Sequence, residues 1–512
     1  MGGDGLMRIF GLAPESPVLL VGAGPSGWRE VFPTATVCPR FPRNGYLPDK
    51  FELVVYHCAA AADARAFRED VAAAAENLAG KGSILALAEN ACSFRNLKRL
   101  ARGEWALFAS KLFRGSRRCE KELKKLGFEE IRRFYALPSL EQPEELVALG
   151  SPLLELPHYW HPLIHYAKKF GLYRALADGV VLFAGSVPLE TAGIVRFVID
   201  SLSQCDEQAT GRWTVERIDI RKRGAVVLFL TDVSSGQGII ARVVSDSGID
   251  RIISKNHNFL ESLASNPSLG QDFRDLLPRP LCRLEYAGST VYVETMLRGL
   301  PAWKVNRGPL QAVISRNALE FLMLLGSATG KVELLQDDAL DGLFRDDLAL
   351  IENSSVISPD FRENLLRLVR ELTDRLSGRE VRMATSHGDY GYGNILVDQR
   401  SGALTGVIDW DTARLRDLPG IDLFNLQVQQ ERAARNCGAC EAFSSVIRGS
   451  WRNQRLQPYL EELGIDKEMT GMALYLSFLR YTTRALQYPD LFLEEQEDFR
   501  SILGLLRGAV PI

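Results

Sequence analysis

Hydrophobic positions in the first part of the chain come as short apolar runs between turn residues, a pattern typical of β-strands. Four such runs predict strands at residues 17–22, 34–38, 51–56 and 83–88. Residues 64–78 carry apolar side chains at helical spacing and predict a helix before the last of these strands. This alternation favours an open, mostly parallel α/β sheet. Two later runs, 129–135 and 180–184, are expected to form its antiparallel edge.

The second half, from about residue 211, begins with strand-like runs and continues with helices. Three antiparallel strands are predicted at 213–220, 225–231 and 239–244, separated by the turn sequences RKRG and DVSSGQG. A helix is expected at 253–263 and a further strand at 291–297. Amphipathic helical stretches then follow at 310–327, 361–376, 424–434, 440–452 and 469–486. This half is therefore predicted to be α+β, with a strand-rich small lobe before a helical large lobe.

Length and charge narrow the range of functions. A chain of 512 residues predicts two or three domains. The net charge of −3 gives no long-range attraction for a phosphate backbone, so we expect no nucleic-acid partner. No apolar run reaches the roughly 18 residues that a membrane span requires, and the first residues lack a signal-peptide pattern. The sequence therefore predicts no membrane span and a cytoplasmic location.

The segment 386–423 is the most informative part of the chain. It contains SHGDYGYGN, an apolar strand at 395–397, turn residues, and a returning strand at 404–408 whose last residue begins the sequence IDWD. The resulting hairpin brings Asp409, just after its second strand, beside Asn394, just before its first. Together with Asp389 they form an oxygen-rich set that suits Mg²⁺ between nucleotide phosphates. The alternative interpretation is a pair of ordinary polar turns.

At these residues the sequence resembles the aminoglycoside phosphotransferase and choline kinase-like family, distant relatives of protein kinases. HGDYGYGN and GVIDWD are similar to the two motifs of the family, and Asp422 in DLPGIDL matches a later family aspartate. The resemblance implies that Asp389 is the catalytic base, that Asn394 and Asp409 bind Mg²⁺, and that His387 braces the loop.

The resemblance also implies a reaction and a fold. The reaction is transfer of the ATP γ-phosphate to a hydroxyl of a small molecule such as a sugar, an amino alcohol or a glycan precursor. The fold is a two-lobed protein-kinase-like domain. Two roles are open for Asp411: it supports the metal site, or it caps the structure that follows. The region after Asp422 builds the acceptor pocket in this family.

Nucleotide-binding residues follow from the same resemblance. Arg242 in IIARVV aligns with a phosphate-binding cation that many kinases provide as lysine. Arginine can bind phosphate oxygens in bidentate fashion, although a strand-surface cation is the alternative interpretation. Glu261, on the predicted helix 253–263, is placed to pair with Arg242. Glu294 and Met296 lie where the lobes of such a protein connect, and their backbone is expected to contact the adenine edge.

The N-terminal part carries a second resemblance. VLLVGAGPSG places Gly22 and Gly24 at a strand end in a G-x-G-x-x-G pattern. Residues 17–185 are similar to class I S-adenosylmethionine-dependent methyltransferases, which implies a Rossmann-like, methyltransferase-type sheet domain and S-adenosylmethionine as a cofactor at these glycines. The acidic residue that usually ends the second strand is absent, because the chain there reads VCPR. A degenerate domain that serves structure or contact with a protein partner is therefore favoured over an active one.

The predicted organisation has four parts. They are a shortened methyltransferase-like domain (1–186), a linker with a helix (187–210), a kinase-like small lobe (211–300) and a helical large lobe (301–512). Two other functions fit this organisation. One is a catalytically silent two-domain scaffold, and the other is a methyltransferase whose kinase-like half docks the substrate.

Overall fold

The computed structural model describes most of the chain in sixteen segments. They are residues 16–21, 32, 35–38, 50–57, 64–89, 116–128, 130–138, 143–148, 179–185, 193–205, 211–220, 225–305, 308–435, 437–448, 456–487 and 489–509. The chain divides into two compact units, the first comprising 1–253 with 280–296 and the second 254–279 with 297–512. Within the described segments, none of the helices combines the length and apolar composition required to cross a lipid bilayer.

The first unit is built on one sheet. Its twelve strands are β1 (Val18–Val21), β2 (Thr36–Cys38), β3 (Phe51–His57), β4 (Leu78–Glu89), β5 (Glu130–Pro138), β6 (Pro143–Ala148), β7 (Gly179–Gly185), β8 (Trp213–Ile220), β9 (Ala225–Asp232), β10 (Gly238–Val244), β11 (Pro280–Tyr286) and β12 (Ser289–Thr295). Their order is β11-β12-β10-β9-β8-β6-β5-β7-β4-β3-β1-β2. Among the described residues, three helices lie wholly within this unit, namely α1 (Ala64–Glu76), α2 (Ser116–Lys125) and α3 (Gly193–Cys205).

Parallel pairing is confined to the end of this sheet where the sequence predicts it. β1 pairs in parallel with β2 and β3, and β3 with β4. β1 is buried along its whole length, as expected for a parallel strand covered on both faces. Val18 and Leu20 enter one hydrophobic core, while Leu19 and Val21 enter the core on the opposite face with residues of α1 and α2. The alternation of side chains along a strand explains this division.

The remaining strands pair antiparallel, and one pairing corrects the sequence prediction. β7 pairs with β4 and β5, and β5 pairs with β6, so the predicted antiparallel character of 129–135 and 180–184 is confirmed. Their prediction as an edge is wrong, because β6 pairs with β8 and continues the sheet. Arg132 crosses the junction and donates to Thr214 Oγ1 at 3.0 Å and to Val215 O at 2.9 Å.

One core therefore extends under strands from both sides of the predicted linker. It contains Val18 of β1, Leu228 of β9 and Val293 of β12, and it is covered by apolar side chains of α3 such as Val198. The helix predicted in the linker is confirmed as α3. The predicted boundaries at residues 186, 210 and 300 stay predictions.

The second unit is mainly helical. It contains α4 (Ser247–Ala264) from residue 254 onward, α5 (Gln271–Arg274), α6 (Ala302–Val305), α7 (Leu310–Thr329), α8 (Asp337–Asn353), α9 (Pro359–Leu376), α10 (Ile421–Arg435), α11 (Ala439–Arg448), α12 (Gln457–Glu462), α13 (Lys467–Leu486) and α14 (Pro489–Ala509). Two small antiparallel sheets accompany them. These are β13 (Leu300–Pro301) with β16 (Ile395–Val397) and β17 (Leu404–Val407), and β14 (Lys331–Leu334) with β15 (Glu380–Ser386) and β18 (Arg414–Asp417).

Local sequence accounts for the helix boundaries. α9 begins with Pro359 in its first turn, where a missing N–H costs no hydrogen bond. Its buried side chains recur at three- and four-residue intervals, namely Phe361, Leu365, Leu368, Val369, Leu372 and Leu376. α13 begins after Asp466, whose carboxylate accepts from Met469 N at 2.8 Å as an N-cap. α9 therefore presents one apolar stripe to the core of the unit, and α13 is buried on most sides.

Candidate active site

The hairpin predicted around residues 395–408 is confirmed. β16 and β17 pair antiparallel, with Ile395 opposite Val407. One step beyond the paired strands, Ile408 N donates to Asn394 O at 2.9 Å. Asp409 therefore follows a residue that is hydrogen-bonded to Asn394, and the two predicted metal ligands lie at the same end of the hairpin.

Asp389 is held against the same end by Asn394. The Asn394 Nδ2 group donates to Asp389 O at 2.9 Å and to Asp389 Oδ2 at 3.2 Å. The short turn between them is closed by Asn394 N, which donates to Gly391 O at 2.9 Å. The structure thus brings Asp389, Asn394 and Asp409 to one place.

His387 lies behind this loop and is fully buried. Its Nε2 donates to Ile408 O at 3.0 Å, and its Nδ1 accepts from Asp389 N at 3.3 Å. These partners assign the imidazole proton to Nε2. The ring centroid lies 4.5 Å from that of Trp410. His387 therefore connects the start of the loop to the end of the hairpin.

The buried carboxylate of Asp422 fixes the backbone of the loop. Its two oxygens accept from His387 N at 2.6 Å and from Gly388 N at 2.9 Å. Burial raises the pKa of Asp422, while the two N–H groups stabilise its charged form. Gly388 has φ 80°, and a Cβ there would lie 2.5 Å from Thr412 O. Only glycine fits this close approach of two backbone segments.

Asp409 also adopts a left-handed backbone, with φ 71°. This conformation costs an ordinary L-residue roughly 1–2 kcal/mol, although aspartate tolerates it better than most. The side chain of Asp409 is exposed, whereas the next residue, Trp410, is fully buried. Trp410 Nε1 donates to Val407 O at 3.0 Å, and Trp410 N donates to Asn256 Oδ1 on α4 at 3.1 Å.

The site carries an excess of negative charge. Burial, together with the charges of Asp409 and Asp389, raises the pKa of Asp411 to about 7. Asp411 therefore lies within electrostatic range of both Asp409 and Asp389, and its role at a metal site stays a prediction. A divalent cation would offset this charge, and carboxylate and amide oxygens are the ligands that Mg²⁺ prefers. Within the described residues, no group of three or more His, Cys, Asp or Glu side chains is arranged to hold a metal ion.

Sequence reasoning missed Arg484. This residue of α13 forms an ion pair with Asp389 Oδ1, and its guanidinium also lies 5.5 Å from the centre of the Tyr481 ring. Both oxygens of Asp389 are therefore engaged, Oδ1 by Arg484 and Oδ2 by Asn394. Nothing in the sequence near the HGD motif indicates a partner on a helix so much later in the chain.

A buried charge cluster lies beneath the loop. Asp347 of α8 forms ion pairs with Arg480 and, at 3.2 Å, with Arg414, and it accepts from Thr483 Oγ1 at 2.7 Å. Arg480 also lies 3.3 Å from Asp417, the last residue of β18. These contacts tie α8, α13 and β18 together.

The same cluster reaches the loop that carries Asp389. Asp417 accepts from Ser386 Oγ at 3.1 Å, and Ser386 immediately precedes His387. Asp417 is 1% exposed and Ser386 is 4% exposed, so the bond is inaccessible to water. Through this hydrogen bond, Asp417 holds Ser386, the residue immediately before the loop, in place.

The predicted nucleotide-binding residues of the first unit lie on neighbouring strands. Arg242 on β10 forms an ion pair with Glu294 on β12. Met296 N donates to Gly238 O at 2.8 Å, so this donor is engaged with the adjacent strand. Contact of this segment with adenine stays a prediction, and it would have to use other backbone groups.

Glu261, Gly22 and Gly24 are the other residues predicted to take part in cofactor binding. Glu261 is 58% exposed and lies 3.5 Å from His257 Nε2 on the same helix, and its pairing with Arg242 stays a prediction. Gly22 and Gly24 lie outside the residues that the structure describes. Binding of S-adenosylmethionine at these glycines is therefore untested.

Several solved structures are similar to this chain at low identity. An aminoglycoside phosphotransferase from Streptomyces rimosus is 18% identical over 56% of this chain and 98% of that chain, with a TM-score of 0.35. An ethanolamine kinase from Plasmodium vivax is 10% identical over 62% and 88%, with a TM-score of 0.38. A methyltransferase from Thermotoga maritima, described as S-adenosylmethionine-dependent and as a possible histamine N-methyltransferase, is 15% identical over 36% and 88%, with a TM-score of 0.22.

The similarity to a known protein family lies in the C-terminal region. Comparison with curated proteins gave no match. The methyltransferase-like character of the N-terminal region stays a prediction. The C-terminal resemblance is confirmed, since residues 260–439, which include Asp389, Asn394 and Asp409, match the phosphotransferase enzyme family.

Proposed function

We propose that this protein is an ATP-dependent phosphotransferase whose acceptor is a hydroxyl of a small molecule, such as a sugar, an amino alcohol or a glycan precursor. The observation that carries the proposal is the convergence of Asp389, Asn394 and Asp409 at one end of the β16–β17 hairpin. The match of residues 260–439 to the phosphotransferase enzyme family supports it independently.

In this proposal Asp389 receives or orients the hydroxyl proton of the acceptor. Its carboxylate is 35% exposed, so a small molecule can reach it. Arg484 and Asn394 each hold one of its oxygens, which fixes the direction in which the remaining lone pairs point. A fixed base contributes to catalysis by positioning, because little covalent chemistry is left for the protein in phosphoryl transfer.

Asn394 and Asp409 would hold Mg²⁺, which supplies neutralisation of the charge on the phosphate oxygens when bound. Arg242 would contact phosphate oxygens with its guanidinium, and its ion pair with Glu294 restrains that side chain. The cytoplasmic location stays a prediction that accompanies this function.

The decisive experiment replaces the metal ligand on the hairpin. We expect Asp409→Ala to abolish ATP-dependent phosphorylation across a panel of hydroxylated small molecules, while the protein stays folded because Asp409 is exposed. Asp409→Asn tests the same loss with less cost to the left-handed backbone. Asp398→Asn is the matched control, since Asp398 lies in the turn at the other end of the hairpin and an amide oxygen can accept the same backbone bonds.

Full activity in Asp409→Ala would refute the metal assignment. A thermal-shift measurement with Mg-ATP, and separately with S-adenosylmethionine, separates the alternatives, because a ligand that binds the native state raises its apparent stability. A shift with neither ligand, together with no phosphate transfer, would favour the silent scaffold. A shift with S-adenosylmethionine alone would favour the methyltransferase.

A further inference from the structure

The backbone next to Asp409 is held by a residue from another part of the unit. Trp410 N donates to Asn256 Oδ1 at 3.1 Å. Asn256 lies on α4, is 7% exposed, and precedes the region that matches the phosphotransferase enzyme family. The acceptor for this backbone N–H group is thus a side chain.

This hydrogen bond acts on the orientation of Asp409. The N–H of Trp410 belongs to the peptide plane that joins residues 409 and 410, so an acceptor for it fixes the rotation of that plane about the Asp409 Cα–C bond. Asp409 has φ 71°, a region that L-residues leave readily. Without the acceptor, the buried N–H would lose its partner and the segment would be free to turn toward a commoner conformation.

Other contacts of α4 converge on the same segment. The ring of Phe259 stacks on Trp410 with a centroid distance of 5.7 Å, and Trp410 Nε1 donates to Val407 O. The indole is therefore fixed on one side by the hairpin and on another by α4. Because the indole is fixed, the hydrogen bond to Asn256 mainly restrains the backbone conformation at Asp409.

We propose that Asn256 is a positioning residue that holds Asp409 in its metal-binding orientation. The inference rests on the proposed function, since it assumes that Asp409 binds Mg²⁺. A buried asparagine that merely satisfies a core N–H is the competing explanation, and it predicts a loss of stability without a change in the Mg²⁺ requirement.

The test measures ADP affinity of the full-length protein by calorimetry at a series of Mg²⁺ concentrations. We expect Asn256→Ala to need roughly 10- to 100-fold more Mg²⁺ for the same gain in ADP affinity, as is typical when a residue that supports a metal ligand is removed. Asn256→Asp keeps an oxygen acceptor at the same position and should restore most of the wild-type response.

Asn317→Ala is the matched control. Asn317 Nδ2 donates to Gly402 O at 3.1 Å in the turn of the same hairpin, far from its metal-binding end along the strands. We expect this variant to keep the wild-type Mg²⁺ requirement. If Asn256→Ala does not fold, Asn256→Gln displaces the acceptor while keeping the amide, and it should raise the Mg²⁺ requirement in the same direction.

The two proposals fail in different ways. A wild-type Mg²⁺ requirement in folded Asn256→Ala or Asn256→Gln would overturn the role of Asn256 and leave the proposed function intact. Wild-type protein that binds ADP equally well with and without Mg²⁺, and transfers no phosphate, would overturn the proposed function itself.

Discussion

Replacing Asp347 by alanine should lower the free energy of unfolding of the second unit by about 3–5 kcal/mol, the usual cost of removing one partner from a buried ion pair. The Asp347 side chain is 1% exposed and faces two guanidinium groups, those of Arg480 and Arg414. Thr483 Oγ1 also donates to it, and a hydrogen bond to a charged group contributes roughly 1.5–3 kcal/mol. Asp417 lies 3.3 Å from Arg480 and, when ionised, can replace part of the charge that Arg480 loses with Asp347. The expected loss in the free energy of unfolding is therefore about 3 kcal/mol.

Asp346→Ala provides the matched control for this measurement. Asp346 is the neighbouring residue on α8 and is 60% exposed, and its ion pairs with Lys255 and Arg414 are long, at 3.7 Å and 3.9 Å. Its removal should cost about 0–1 kcal/mol. Urea unfolding gives both values, and hydrogen exchange over α8 and α13 assigns them to the second unit. Equal losses in the two variants, or a loss below about 1 kcal/mol in Asp347→Ala, would refute the reasoning.

Three further predictions concern the loop and its supports. Gly388→Ala should lower the free energy of unfolding by roughly 1–2 kcal/mol and abolish Mg²⁺-dependent phosphate transfer, because φ is 80° and the new Cβ would clash with Thr412 O. A wild-type melting temperature and a wild-type transfer rate in this variant would contradict the prediction. Burial raises the pKa of Asp417 to about 7, so the folded protein binds its proton more tightly than the unfolded chain, where aspartate titrates near about 4. Wild-type stability relative to Asp417→Asn should therefore be greatest below about pH 4 and be lost as the pH rises to about 7; urea unfolding at roughly pH 5 and pH 8 checks the sign. Arg484→Met should lower the transfer rate by releasing Asp389, and Arg484→Lys should restore part of it; an unchanged rate in Arg484→Met would show that the ion pair is dispensable.

The hairpin could be predicted from the sequence because its determinants are local. An apolar strand, a six-residue connection and a returning strand specify which residues are adjacent, and the hydrogen bond from Ile408 N to Asn394 O shows that adjacency. The strands β8 to β10 and the helix α4 were predictable for the same reason, since each contains its own periodicity.

Contacts between distant parts of the chain could not be predicted in this way. Arg484 and Asn256 reach the site from α13 and α4, and their sequence neighbourhoods carry no signal that differs from an ordinary helix. The order of strands was likewise hidden, because periodicity identifies a strand but not its neighbours. The prediction of 129–135 and 180–184 as an edge failed on this point, since β6 was not foreseen.

The pairing of β6 with β8 has a consequence for the expression of truncated forms of the protein. A fragment that starts near residue 211 would leave the backbone of β8 without the partner that Glu145, Leu146 and Val147 provide. The fragment would also lack Val198 and Leu202 of α3, which cover the apolar side of the remaining strands. Unpaired strand edges and exposed apolar side chains favour association with other chains, so such a fragment is expected to aggregate more readily than the intact protein.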